Sequence, residues 1–184
     1  MSRLLLAAVL ILAAAAGATA EEKVKTKTPA QAVGGLLAFT PPKGWNASDY
    51  SNTEGADPVV RFERLSDAIV IRVFGAPGSA YPTPKDFLAG PAASAQGAAP
   101  ETSGAANVAG KKLELHRRSF AIEPSDPHRP SAGRSLMGSE VFCVLPLKKG
   151  RFAVVAYRRE SPIPDLERAG EKAWAAFLRT VKPK

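Results

Sequence analysis

LMGSEVFCVLPLKKGRFAVVAY, residues 136–157, is the stretch on which the architecture turns. Apolar residues dominate from Leu136 to Leu147, Lys149-Gly150 suits a tight turn, and the chain returns through Arg151–Tyr157. On the return, Phe152, Val154 and Ala156 alternate with Ala153, Val155 and Tyr157. Successive strand side chains point to opposite faces, so this reads as a β-hairpin that is apolar on both sides. Such a hairpin needs cover from two directions and belongs inside a sheet.

Upstream, a second hairpin has the same character. Val60 and Phe62 fall on one face of the segment Val59–Leu65, with Arg61 and Glu63 on the other. Ser66-Asp67 turns the chain into Ala68–Phe74, where Ile69, Ile71 and Val73 alternate with Val70, Arg72 and Phe74. Residues 33–39 read as a first strand, stopped by Pro41-Pro42-Lys43-Gly44, and Trp45 caps the core from that turn. Residues 46–58 read as a loop. A further strand is entered at Asn107–Gly110 and continues to Ile122, with Leu113 and Leu115 in one phase and Phe120 and Ile122 in the other. That change of phase predicts a bulge or strong twist near His116–Ser119.

Two helices are expected. Thr83-Pro84-Lys85-Asp86 is a helix start: a capping hydroxyl, a proline at the first helical position and an acid at the positive end of the dipole. Phe87 and Leu88 would anchor it, and Gly90-Pro91 ends it early. The Ala/Gly-rich segment 91–106 has little to bury and reads as mobile. The second helix opens at Pro164, and Leu166, Gly170, Ala173, Trp174, Phe177, Leu178 and Val181 recur at helical spacing. The order of elements predicts a single α+β domain over residues 33–182. Its antiparallel sheet of about six strands would be covered by helices in a layered sandwich.

Residues 1–20 carry Arg3, an uncharged apolar run from Leu4 to Ala16 and the small residues Gly17-Ala18-Thr19-Ala20. That order is a secretory signal peptide, followed by a flexible polar leader over 21–32. The expected location is secreted or periplasmic, with no stable membrane span once the signal is removed. The chain of 184 residues is 45% apolar and 23% charged, which excludes collagen-like and wholly disordered classes. One Cys excludes an internal disulfide framework and a multi-cysteine zinc site, and two His leave little for a histidine-rich metal centre. Cys143, within an apolar run, is expected to be buried.

The sequence lacks a G-x-S-x-G elbow, a phosphate-binding G-x-x-x-x-G-K-[ST] loop, H-E-x-x-H and C-x-x-C. Ser125, Asp126 and His128 crowd one proline-rich loop, which suits neither a triad nor a complete metal site. No catalytic, metal or cofactor residue is therefore assigned. What remains is a net charge of +8. Lys111, Lys112, Arg117 and Arg118 lie along one strand, and Lys148, Lys149 and Arg151 at a hairpin tip. These seven are the candidate anion- or partner-binding residues, although neighbours on a strand face opposite ways and need not form one patch. Nucleic acid is not the expected partner, because no aromatic ladder interleaves with the basic residues.

Phe39-Thr40-Pro41-Pro42-Lys43-Gly44-Trp45 resembles the F-x-x-P-x-G-W opening of the PsbP-like proteins and their exported bacterial relatives. The pattern match covers most of residues 33–182. The resemblance implies an antiparallel sheet between helices, and an extrinsic or accessory protein with no shared catalytic set. The expected function is thus an exported, monomeric, non-enzymatic binding domain for an unknown protein or an anionic envelope component. The alternative is a small exported hydrolase with an unrecognised site around His116, His128 or Cys143. A third reading is a subunit whose segment 91–106 orders on binding.

Overall fold

Both hairpins form as their alternation demands, and they meet at the centre of one sheet. The computed structural model describes residues 33, 35–48, 57–90, 99–122, 136–159 and 164–184. In chain order the elements are β1 (Leu37–Ala38), β2 (Asn46–Ser48), β3 (Val59–Arg64), β4 (Asp67–Phe74), α1 (Pro84–Ala89), β5 (Glu101–Val108), β6 (Lys111–Ile122), β7 (Leu136–Pro146), β8 (Phe152–Arg159), α2 (Pro164–Leu178) and β9 (Lys182–Pro183). Seven strands form one antiparallel sheet in the order β2-β3-β4-β8-β7-β6-β5, while β1 and β9 pair separately. The signal-like segment 1–20, the leader 21–32, residues 91–98 and the Ser125–Asp126–His128 loop lie outside the described residues.

The expected α+β sandwich is corrected by this arrangement: the described residues are mostly β, with a seven-stranded sheet and, among them, only two helices, one of them six residues long. Two strands account for much of the difference. Asn46–Ser48, read as loop, is edge strand β2. Glu101–Val108, read as the end of a mobile segment, is edge strand β5. The supposed entry at Asn107–Gly110 is instead the end of β5 and a two-residue turn, with Ala109 and Gly110 both at positive φ and Val108 paired to Lys111. The bulge lies on β5 between Thr102 and Gly104, opposite His116 and Leu115, rather than on β6. The first strand is also shorter than expected, since only Leu37–Ala38 pairs, with Lys182–Pro183.

The sheet has two covered faces. On the first, Phe62, Ile69, Ile71, Leu145 and Val155 pack with Trp174, Phe177 and Leu178 of α2 and with Leu37, Phe39 and Trp45. The rings of Phe39, Phe62 and Phe177 sit 5.6–5.9 Å apart, a normal aromatic packing range. On the second face, Phe74, Phe142, Phe152, Val154 and Ala156 pack against Phe87 of α1. Thr83 caps α1 by accepting the Asp86 N–H at 3.2 Å. No helix among the described residues is long and apolar enough to cross a membrane.

Candidate functional site

The second face changes character away from α1. Residues directly opposite one another in an antiparallel sheet share a face. One cross-strand row on this face runs Arg118 (β6), Glu140 (β7), Arg158 (β8), Ala68 (β4) and Glu63 (β3). The neighbouring row runs His116, Phe142, Ala156, Val70 and Arg61. Arg72 lies two residues beyond Val70 along β4, on the same face. Four strands thus place Arg61, Arg72, Arg118 and Arg158 on one face with Glu140 on a fifth.

Glu140 is buried at 5% exposure and ion-paired to Arg118. A buried carboxylate costs several kcal/mol unless it is paired, so this contact is a condition of the fold. Arg61 pairs with Glu63 along β3. The guanidinium carbon of Arg158 lies 3.9 Å from the centre of the Phe120 ring, and that of Arg118 6.0 Å from the Phe142 ring, on which His116 stacks at 5.3 Å. These contacts restrain the guanidinium groups of Arg118 and Arg158. Gly138 makes the first possible: a Cβ there would collide with the Phe120 ring, which lies across β7. Burial lowers the pKa of Arg72 from its ordinary value, Glu140 opposes that, and Arg118, Arg158 and Arg61 add to it by like-charge repulsion. A pocket of ≈ 10 Å³ bordered by Arg72, Phe87, Arg118, Glu140 and Phe142 is far too small for a substrate.

The seven basic residues expected from the sequence separate into distinct places. Lys111, Lys112, Lys148 and Lys149 are exposed at the end of the sheet where β5 turns into β6 and β7 into β8. Arg151 is half-buried in the second of these turns, which closes with the Leu147 N–H donating to the Arg151 carbonyl at 2.8 Å. Arg117 pairs with Val141 and belongs to the first face, whereas Arg118 belongs to the second. Only Arg118 joins the arginine cluster. Arg61, Arg72 and Glu140 are not among the residues expected from the sequence; for the two arginines the signal is a charge inside a strand with apolar neighbours on both sides, Val60-Arg61-Phe62 and Ile71-Arg72-Val73, whereas Glu140 follows the polar Ser139.

Guanidinium groups bind and orient anions but do not exchange protons near neutral pH. The thiol of Cys143 is fully buried in the first face, and burial pushes its pKa up to about 12. Leu115 pairs with Cys143, so His116 points to the opposite face and the two cannot form a nucleophile–base couple. His128 lies outside the described residues. Among the described residues, no three His, Cys, Asp or Glu side chains gather as metal ligands. No family model matches the chain, and neither does any curated protein.

Proposed function

We propose that the protein is an exported accessory domain that holds an anionic partner, either a protein or an envelope component, against the arginine-bearing face of its sheet. The observation that carries this reading is the placement of Arg61, Arg72, Arg118 and Arg158, from four strands, on the same face of the sheet as the buried carboxylate of Glu140. Arginine forks match carboxylate and phosphate groups in bidentate fashion, and guanidinium groups already held by aromatic rings or acids, as those of Arg61, Arg118 and Arg158 are, lose less freedom on binding. The signal-like order of residues 1–20 supports export, and the PsbP-like Phe39–Trp45 stretch supports an accessory rather than a catalytic role.

The test is a binding titration against a polyglutamate peptide and against vesicles containing an anionic phospholipid, with neutral vesicles as reference. Binding to one anionic probe is expected, weakening as salt is raised. An Arg61→Gln/Arg158→Gln variant should bind about tenfold more weakly or worse, since hydrogen bonds to charged groups contribute about 1.5–3 kcal/mol each. A Lys148→Ala/Lys149→Ala variant should bind nearly as the parent does. Absence of salt-sensitive binding to both anionic probes would remove the basis of this reading.

A further inference from the structure

Where the β5–β6 turn meets the carboxyl end of α2 and β9, a hollow of ≈ 430 Å³ opens between Asn107, Ala109, Gly110, Arg179, Lys182 and Pro183. That volume falls in the range of small-ligand sites, unlike the ≈ 10 Å³ pocket at the arginine face. Both walls are anchored in the core. Val108, Leu178 and Val181 are buried in one cluster, Lys182 pairs with Ala38, and the Lys184 N–H donates to the Leu36 carbonyl at 3.0 Å. The two-residue turn closes between Val108 and Lys111, which leaves the Ala109 and Gly110 N–H groups outside the ladder. A Cβ on Gly110 would meet nothing within 4 Å, so the space beside it is clear.

Among the described residues, the charge around this hollow is of one sign. Arg179 and Lys182 are exposed on its border, and neither has an acidic partner within ion-pair distance among the described residues. Lys111 pairs with Val108 and so lies on the α2 side of the sheet, with Lys112 on the other. The acids of the adjoining elements are placed elsewhere. Glu114 stands opposite Ala105 and accepts the Thr102 hydroxyl, and Glu101 is at the far end of β5, opposite Arg117. Glu171 precedes Arg179 by eight residues, about 12 Å along the helix axis. Nor does the end of α2 occupy Arg179. The Phe177 carbonyl accepts the Thr180 N–H and hydroxyl, both at 2.8 Å, and the Leu178 carbonyl accepts the Val181 N–H at 3.3 Å. We propose that this hollow binds a compact oxyanion of two negative charges, a phosphate group or a small dicarboxylate. Arg179 supplies a planar fork, Lys182 a point charge, and the Asn107 amide and the turn N–H groups neutral donors. A recess bordered by cations focuses its field on one ligand. The site is separate from the arginine-bearing face, since none of Arg61, Arg72, Arg118 and Arg158 borders it.

NMR titration of the protein with inorganic phosphate and, separately, with succinate, at low ionic strength and near neutral pH, tests this. The Arg179 Nε–H and the Gly110 amide are expected to shift together and saturate, with a dissociation constant on the order of 1 mM or below. Saturation by either probe supports the proposal, and the tighter of the two identifies the source of the dianion. Arg179→Gln/Lys182→Gln should weaken binding about tenfold or more. Lys148→Gln/Lys149→Gln removes the same charge from a neighbouring hairpin tip and should bind as the parent does. Three results overturn the proposal: no saturable shift with either probe up to about 20 mM, equal weakening by the two double variants, or saturation at Arg118 and Arg158 with Arg179 unmoved.

Discussion

Gly170 shows how one side chain's absence can be structural. It sits in α2 where a Cβ would collide with the Tyr157 hydroxyl and the Asp67 carboxylate, which hydrogen-bond at 3.0 Å beneath it. Gly→Ala inside a helix ordinarily gains about 1 kcal/mol. Here overpacking against a buried polar pair outweighs that gain, and Gly170→Ala should lower stability by about 1–3 kcal/mol in a denaturant titration. Cys143 gives a second prediction. Its native pKa is raised by burial from 9.0 to about 12, so the folded chain keeps a proton that the unfolded chain loses. The associated stability is complete below about pH 9 and is lost as pH climbs towards 12. Tyr157, also raised by burial and by Asp67, acts in the same sense at higher pH. A disulfide-exchange reagent at pH 8 should therefore leave Cys143 unmodified until denaturant is added, and rapid labelling of the native protein would contradict its burial.

The two helices differ in what they contribute. α1 is too short to stand without its cap, and Thr83 supplies it while Phe87 inserts between Phe74, Phe142 and Phe152. Thr83→Ala should cost about 1 kcal/mol in thermal unfolding. α2 covers the first face through Trp174, stacked on Tyr157 at 6.2 Å, and Phe177. Trp174→Ala should cost about 3–5 kcal/mol, and an unchanged thermal midpoint would count against this role. Both helix starts and both apolar hairpins were legible in the sequence because cap chemistry and periodicity are local. Strands β2 and β5 were not. Asn46–Ser48 is too short to show a period, and Thr102–Ala106 consists of small residues whose strand state comes from the ladder with β6. The expectation of a helix-covered sandwich failed for the same reason, because residues assigned to loop became sheet edges.

At the scale of the whole molecule, the net charge of +8 was plain from composition, but its arrangement was not. Among basic residues adjacent in sequence, Lys148 and Lys149 remain at an exposed hairpin tip, while Arg117 and Arg118 part to opposite faces. The arginines that do share one face are separated by up to 97 positions, from Arg61 to Arg158, and only the strand register unites them. The most direct measurement of whether that union is functional is NMR of the arginine Nε–H groups during titration with polyglutamate. The signals of Arg61, Arg72, Arg118 and Arg158 are expected to shift together along one saturation curve. Shifts confined to Lys148 and Lys149, with the four arginine signals unmoved, would contradict the assignment of this face.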